Sequence, residues 1–177
     1  MGRSDYFRYA LTLAAICFVA SALLGAVHGL TSPKILGQQA RQEESGLREV
    51  MPEAISFEAV KEGENTIYYR AFGPNKRILG YVFKALKKGY STEIVTLTAI
   101  DKDGAISRIK ILSQNETPGI GTKIIDLSWF LEQFMGKNAS DLGNSVQAIT
   151  GATITSRAVI DSIQKRAKEI MERLHGR

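Results

Sequence analysis

The sequence predicts an α+β protein in which one N-terminal transmembrane helix is followed by a mainly antiparallel sheet packed with helices. Three observations support this fold class: an uncharged apolar segment near the N-terminus, two pairs of β-rich segments joined by turn residues, and an amphipathic segment at the C-terminus. The chain has 177 residues, of which 44% are hydrophobic and 23% are charged. One domain of ordinary size and a membrane anchor account for this length.

The first predicted element is the membrane anchor. Residues 9–30 contain no Asp, Glu, Lys or Arg, and a helix of that length can cross the ~30 Å hydrocarbon core of a bilayer. Residues 1–8 form a short tail before it, and Pro33 is expected to end the helix soon after it. A cleaved signal peptide is the alternative, but its apolar region is normally about 7–15 residues long, which favours a retained anchor.

A polar segment and a small domain follow the anchor. Residues 31–55 are predicted to be a juxtamembrane linker with interruptions at Gly37 and Gly46, and residues 56–177 to be the folded domain. Four strands are expected in two hairpins, because segments rich in aromatic and β-branched residues flank clear turn residues. The strands are residues 66–72, 78–86, 93–100 and 105–112. The tyrosines expected to pack on this sheet are Tyr68, Tyr69, Tyr81 and Tyr90.

Two helices complete the predicted domain. Residues 123–135 form the first, with an apolar stripe consisting of Ile124, Leu127, Leu131 and Phe134. Residues 157–174 form the second, with apolar residues at three- and four-residue spacing and a charged opposite face.

Composition excludes several kinds of site. With one cysteine and two histidines the chain cannot form an internal disulfide or a cysteine cluster, and it offers few of the ligands that zinc or haem iron needs. We therefore predict no metal site and no catalytic residue. The net charge of +5 lies at the two chain ends, and residues 42–156 contain no basic stripe interleaved with aromatic residues. Nucleic-acid binding is therefore not expected.

The most informative segment lies directly before the last helix. Between Thr150 and Ser156, four of the seven residues carry hydroxyl groups, and a Gly-Ala pair lets another molecule approach the backbone closely. The start of the following helix offers unpaired N–H groups and the positive end of the helix dipole. These features predict a phosphate-binding segment, reinforced by Arg157. The alternative is an ordinary helix cap formed by Thr155 or Ser156.

Two motifs carry a resemblance to a known family. The segment TGATITS (150–156) resembles the flavinylation motif of FMN-binding domains, [Ser/Thr]-Gly-Ala-Thr, and the loop ETPGIG (116–121) resembles a second signature of that family. The short length, single anchor and C-terminal helix resemble the G subunit of Rnf-type electron transport complexes, which is related to the C subunit of the sodium-translocating NADH:quinone reductase. One departure is Gln147, which stands where the family often has an acidic residue.

The resemblance implies a covalent cofactor. A separate flavin transferase would join one FMN per chain, through its phosphate, to Thr153. The further cofactor-binding residues implied are Thr150, Gly151, Ala152, Thr155, Thr117, Gly119 and Gly121. Trp129 is an additional candidate as a stacking partner, although a position in the core is the commoner outcome for such a residue. Glu116 is expected to be a hydrogen-bond partner within its loop and not a proton donor.

The resemblance also implies a function. The protein would be a membrane-anchored flavoprotein that transfers electrons within an ion-translocating ferredoxin:NAD oxidoreductase complex and does not act as an enzyme alone. Other subunits would carry the ion path, because one helix cannot form it. The protein would lie in the bacterial inner membrane with its domain on the extracytoplasmic side. Two alternatives remain: a free-standing flavinylated domain that serves another extracytoplasmic reductase, and a cofactor-free tethered scaffold.

Overall fold

The computed structural model describes residues 3–175 and divides the chain into two units. The first unit ends at Gln42, and the second begins at Glu43. Helix α1, Arg3–Val50, contributes to both. The second unit contains the remaining helices and a five-stranded sheet.

Helix α1 includes the predicted anchor. Between Arg8 and Val50 it contains a stretch that is long and apolar enough to cross a membrane, and none of that stretch is buried. The prediction that Pro33 ends the helix was wrong, because Pro33 lies inside α1. A proline removes one backbone hydrogen bond, yet its fixed φ is compatible with a helix, and most of the residues after it are good helix formers.

The last two turns of α1, residues 43–50, cover one face of the sheet. Leu47 and Val50 are buried against the sheet, although the sequence predicts a linker here. A methyl group on Gly46 would lie 2.9 Å from Cδ2 of Leu112, so the absence of a side chain lets the helix approach the sheet. Gly46 is therefore a packing position within α1 and not an interruption of it.

The sheet is antiparallel, with the strands in the order β1-β2-β3-β4-β5. The strands are β1 (Ser56–Glu62), β2 (Asn65–Phe72), β3 (Ile78–Lys88), β4 (Glu93–Asp101) and β5 (Ile106–Ser113). The four predicted strands are confirmed as β2 to β5. Strand β1 was missed because none of its seven residues is buried, so its sequence shows no apolar alternation.

Three helices follow the sheet in the chain: α2 (Lys123–Asp126), α3 (Ser128–Glu132) and α4 (Thr153–His175). The prediction of one helix over residues 123–135 was wrong, because Leu127 has an extended conformation, with φ −102° and ψ 95°. Helix α4 begins four residues before the predicted start at Arg157. Threonine and isoleucine have modest helix propensity, which is why the sequence placed this boundary too late.

Helix α4 packs on the opposite face of the sheet from residues 43–50, mainly against β3 and β4. Its predicted apolar stripe is confirmed. The fully buried residues of the stripe are Val159, Ile160, Ile163, Ala167 and Ile170. Tyr68 and Tyr81 pack on this face with their rings edge-on and their centroids 5.7 Å apart. Tyr90 does not pack on the sheet as expected, since it lies in the β3–β4 turn with 68% of its surface exposed.

Two buried threonines of β4 provide a test of this packing. Thr96 and Thr98 are fully buried, and within residues 3–175 neither hydroxyl has a hydrogen-bond partner. Because an unpaired buried hydroxyl is unfavourable, we expect Thr96→Val to leave the free energy of unfolding unchanged or to raise it by about 1 kcal/mol. Ile163→Ala, by comparison, should lower it by about 2–5 kcal/mol.

Urea unfolding of the detergent-solubilised protein, followed by the fluorescence of Trp129, the single tryptophan, would measure both changes. A loss of more than about 1 kcal/mol in Thr96→Val would contradict the prediction, because it would indicate that the hydroxyl is hydrogen-bonded.

Candidate functional site

A groove lies where the β3–β4 turn, the loop after β5 and the start of α4 meet. Its volume is about 550 Å³, within the range usual for small-molecule sites. It is lined by Tyr90, Glu116, Thr117, Ile120, Gly121, Gly151, Ala152, Thr153, Ile154 and Thr155. The lining combines apolar side chains with hydroxyl groups and glycine backbone, so one molecule could make apolar and polar contacts here.

Glu116 holds the three segments of the groove together. Its carboxylate accepts hydrogen bonds from the backbone N–H of Tyr90 at 3.1 Å, of Ser91 at 2.9 Å and of Thr92 at 3.0 Å. The hydroxyl of Thr155, in the first turn of α4, donates to the same carboxylate at 2.7 Å. One buried side chain therefore joins the turn, its own loop and the helix.

The loop closes tightly around this carboxylate. A methyl group on Gly121 would lie 2.5 Å from Cβ of Glu116, so a side chain at this position would force the loop open. The backbone N–H groups of Ile120 and Gly121 both donate to the carbonyl oxygen of Thr117, which makes the loop a compact turn. Gly121 is thus required for packing within the loop.

The environment of Glu116 keeps its carboxylate ionised. Burial raises the pKa of Glu116, but the hydrogen bonds from the Thr92 N–H, the Thr155 hydroxyl and the two other backbone donors outweigh that effect. The pKa is therefore lower than that of an ordinary glutamate. Glu116 is a hydrogen-bond partner as predicted, but the prediction that it acts within its own loop was wrong, because the four donors to its carboxylate lie in the β3–β4 turn and in α4.

Ser156 fixes the backbone just before α4. Its hydroxyl donates to the carbonyl oxygen of Ala152 at 2.9 Å and accepts from the N–H of Ile149 at 3.1 Å. Gly151 has φ +82°, a conformation that favours glycine, and it turns the chain into the helix. Because the helix begins at Thr153, the expectation that Thr155 or Ser156 is the helix cap was wrong; both residues lie in its first turn.

The structure brings together six of the nine predicted cofactor-binding residues. These are Thr153, Gly151, Ala152, Thr155, Thr117 and Gly121, all of which line the groove. Thr153 is exposed, whereas Thr155 is only 2% exposed.

The other three predicted residues, considered within the described chain, are not part of the lining. Thr150 is exposed beside the groove, and the N–H of Gly119 donates to Oγ1 of Thr122 at 3.0 Å. Trp129 is 43% exposed and meets Phe130 edge-on, with the ring centroids 6.3 Å apart.

The sequence analysis missed four residues of this region. Tyr90, Ile120 and Ile154 line the groove and are all more than half exposed, and an exposed apolar patch of this kind is typical of a binding site. Lys123 extends towards Gly151, since a methyl group on that glycine would lie 3.8 Å from Nζ of Lys123. Ile120 and Ile154 lie within the two motifs, so the sequence offered a signal for both. Tyr90 is far from both motifs in the sequence, so only the folded chain brings it to the groove.

Comparison with known proteins identifies the family. A model of the FMN-binding domain matches residues 89–168, a range that contains every residue lining the groove, and a model of the RnfG N-terminal region matches residues 1–50. The G subunit of the proton-translocating ferredoxin:NAD(+) oxidoreductase complex of Clostridium ljungdahlii is 32% identical over 95% of this chain and 93% of its own length. The chain belongs to the RnfG family.

Two further G subunits and one solved structure are also similar to this chain. The G subunit of the Na(+)-translocating ferredoxin:NAD(+) oxidoreductase complex of Acetobacterium woodii is 31% identical over 89% of this chain and 87% of its own length. The G subunit of an ion-translocating oxidoreductase complex of Methanosarcina acetivorans is 31% identical over 86% and 88%, respectively. The crystal structure of NqrC from Shewanella oneidensis aligns with 65% of this chain and 66% of its own, at a TM-score of 0.48 and 22% identity.

The buried carboxylate predicts a specific pH dependence. Because the pKa of Glu116 is lowered in the folded protein, its stabilising effect is complete above the ordinary value of about 4.3 and is lost as the pH falls through the folded pKa. We expect Glu116→Gln to lower the free energy of unfolding at pH 7 by roughly 1–3 kcal/mol, since an amide cannot accept all four hydrogen bonds. The difference from wild type should narrow below about pH 4.3, the ordinary glutamate value.

Thermal unfolding between pH 7 and pH 3 would measure this difference. Glu132→Gln is the matched control, because Glu132 is exposed on α3. A constant difference between Glu116→Gln and wild type across the pH range would contradict the prediction.

Proposed function

We propose that the domain holds FMN in the groove, bonded through its phosphate to Oγ1 of Thr153. The observation that supports this proposal is that the four hydroxyl groups between Thr150 and Ser156 differ in burial and in position relative to the groove. Thr155 is buried and donates a hydrogen bond to the carboxylate of Glu116, and Ser156 is fully buried. Thr150 is exposed but is not among the lining residues that the structure describes, whereas Thr153 is exposed and lines the groove. Of these four hydroxyl-bearing residues, Thr153 is therefore the one that is both exposed and part of the groove lining.

The start of α4 suits the phosphate. The backbone N–H groups of the first three residues of α4, Thr153 to Thr155, have no intrahelical carbonyl partners, and the positive end of the helix dipole lies there. Both features favour a phosphoryl group, which keeps a negative charge as a diester. The residues present thus fit the phosphate end of FMN.

The rest of the groove suits a flat aromatic ring. Ile120, Ile154 and Tyr90 offer exposed apolar surface beside the motif, which a bound ring would cover. When bound, FMN supplies the redox chemistry, because its ring accepts and returns electrons. The chain itself holds the ring, keeps water from part of it and sets the polarity around it.

The attachment needs help from another protein. Oγ1 of Thr153 bonds to the phosphorus as the hydroxyl proton leaves and one P–O bond of the flavin donor breaks, so that the product equals threonine plus FMN less one water. Across residues 3–175, the Thr153 hydroxyl donates to no histidine or carboxylate, so the chain does not provide a base that activates it. We propose that a separate flavin transferase forms the bond, once per chain.

The family sets the context of this flavin. Relatives in the RnfG family belong to ion-translocating ferredoxin:NAD oxidoreductase complexes, and we propose that this chain passes electrons between redox centres of such a complex. Helix α1 provides a single-pass anchor in the bacterial inner membrane. The domain would lie on the extracytoplasmic side, where a covalent bond prevents loss of a cofactor that the cytoplasm cannot replace.

The attachment site can be tested by removing the Thr153 hydroxyl and, as a control, an exposed hydroxyl outside both motifs. We expect Thr153→Ala, produced in cells with an active flavin transferase, to carry no flavin, because the acceptor oxygen is gone. Ser128→Ala is the matched control and should be fully loaded, because Ser128 is exposed at the start of α3 and lies outside both motifs and the groove lining. Intact-protein mass measures the result: the wild type and the control should exceed the polypeptide mass by one FMN less one water.

Two outcomes would contradict the proposal. A wild-type protein with the mass of its amino acids alone, and without flavin fluorescence in a denaturing gel, would remove the covalent cofactor. A Thr153→Ala protein that kept its flavin would move the bond to another hydroxyl. Co-purification with multi-spanning subunits in mild detergent tests the complex separately, since a solitary protein would favour a free-standing domain.

A further inference from the structure

Lys123 is a half-buried cation beside the flavinylation motif. A methyl group built on Gly151 would lie 3.8 Å from Nζ of Lys123, which places the ammonium next to the backbone two residues before Thr153. Lys123 is the first residue of α2 and lies outside both motifs that the sequence analysis singled out. The groove therefore has a positive charge close to its phosphate end.

Among the half-buried lysines that the structure describes in the domain, this one differs in lacking a partner. Lys84 pairs with Glu43, Lys110 pairs with Glu49, and Lys137 donates to the carbonyl oxygen of Ser145. Among the residues that the structure describes, no carboxylate pairs with Lys123 and no acceptor takes a hydrogen bond from its ammonium. The nearby carboxylate of Glu116 already accepts four hydrogen bonds. A half-buried ammonium without a counterion can bind an anion without breaking an existing pair.

The loop before α2 places this lysine. The N–H of Lys123 donates to the carbonyl oxygen of Ile120, and the N–H groups of Ile120 and Gly121 donate to that of Thr117. These bonds fold the ETPGIG segment into a turn that ends at Lys123. The same loop thus contributes Glu116 as a structural anion and Lys123 as an available cation.

We propose that Lys123 binds a phosphoryl oxygen of the FMN attached to Thr153, and this inference rests on the function proposed above. The diester carries one negative charge, which the ammonium would neutralise through a charge-assisted hydrogen bond. The ammonium and the N–H groups at the start of α4 would then hold the phosphate from two sides. Lys123 favours loading because it attracts the phosphate before the ester forms.

The experiment compares three variants of the full-length protein with wild type. Lys123→Gln removes the charge, Lys123→Arg keeps it, and Lys102→Gln removes an exposed lysine of the β4–β5 turn as the matched control. The first measurement is the rate of flavin loading with limiting transferase, followed by intact mass. The second is the phosphorus NMR shift of each loaded protein, with the denatured loaded protein as the reference for a phosphate without contacts.

We expect Lys123→Gln to load about tenfold more slowly, the factor for one charge-assisted hydrogen bond of ordinary strength. Its phosphorus shift should move towards the denatured value. Lys123→Arg should restore most of the rate, and Lys102→Gln should match wild type in both measurements.

Three results would overturn the inference. One is a Lys123→Gln protein whose rate of flavin loading and phosphorus NMR shift equal those of wild type. Another is slower loading with an unchanged phosphorus shift, which would mean that Lys123 contacts the transferase and not the phosphate. The third is an equal effect of Lys102→Gln, which would indicate a general effect of net charge. Each leaves the Thr153 linkage intact, whereas a flavin retained in Thr153→Ala would remove the linkage itself.

Discussion

The site depends on the compensation of one buried charge. An ionised carboxylate in a protein interior is unfavourable unless donors surround it, and Glu116 meets this requirement with three backbone N–H groups and one hydroxyl. Because these donors come from the β3–β4 turn and from α4, satisfying the charge brings three distant parts of the chain to one place. The groove is the space that this arrangement leaves at the surface.

The sheet supplies the rigid frame for that arrangement. Residues 43–50 cover one face and α4 covers the other, so β3 and β4 are buried on both sides. The polar contacts of Glu43 reinforce the first face: its carboxylate accepts from the hydroxyl of Tyr69 and pairs with Lys84. Burial and the Glu43 carboxylate raise the pKa of Tyr69 to about 12, because both disfavour the negatively charged phenolate.

The same contacts divide the hydroxyl-rich segment into buried and exposed hydroxyls. Thr155 and Ser156 serve the fold, because their hydroxyls donate hydrogen bonds to the carboxylate of Glu116 and to the carbonyl oxygen of Ala152, respectively. Thr153 is left exposed at the start of a helix dipole. A fully compensated Glu116 also repels a neighbouring anion less than a free carboxylate would, which makes a phosphate at this position compatible with a glutamate close by.

The sequence alone determined the fold class, four strands, the apolar stripe of α4 and the two motifs, since each is encoded in local periodicity or in neighbouring residues. Strand β1 and the packing role of Gly46 escaped it, because both depend on contacts with residues far along the chain. Only the tertiary structure decided which hydroxyls are buried and that Tyr90 and Lys123 lie beside the motif. The physical reason is that burial and charge compensation belong to the assembled segments and not to any one of them.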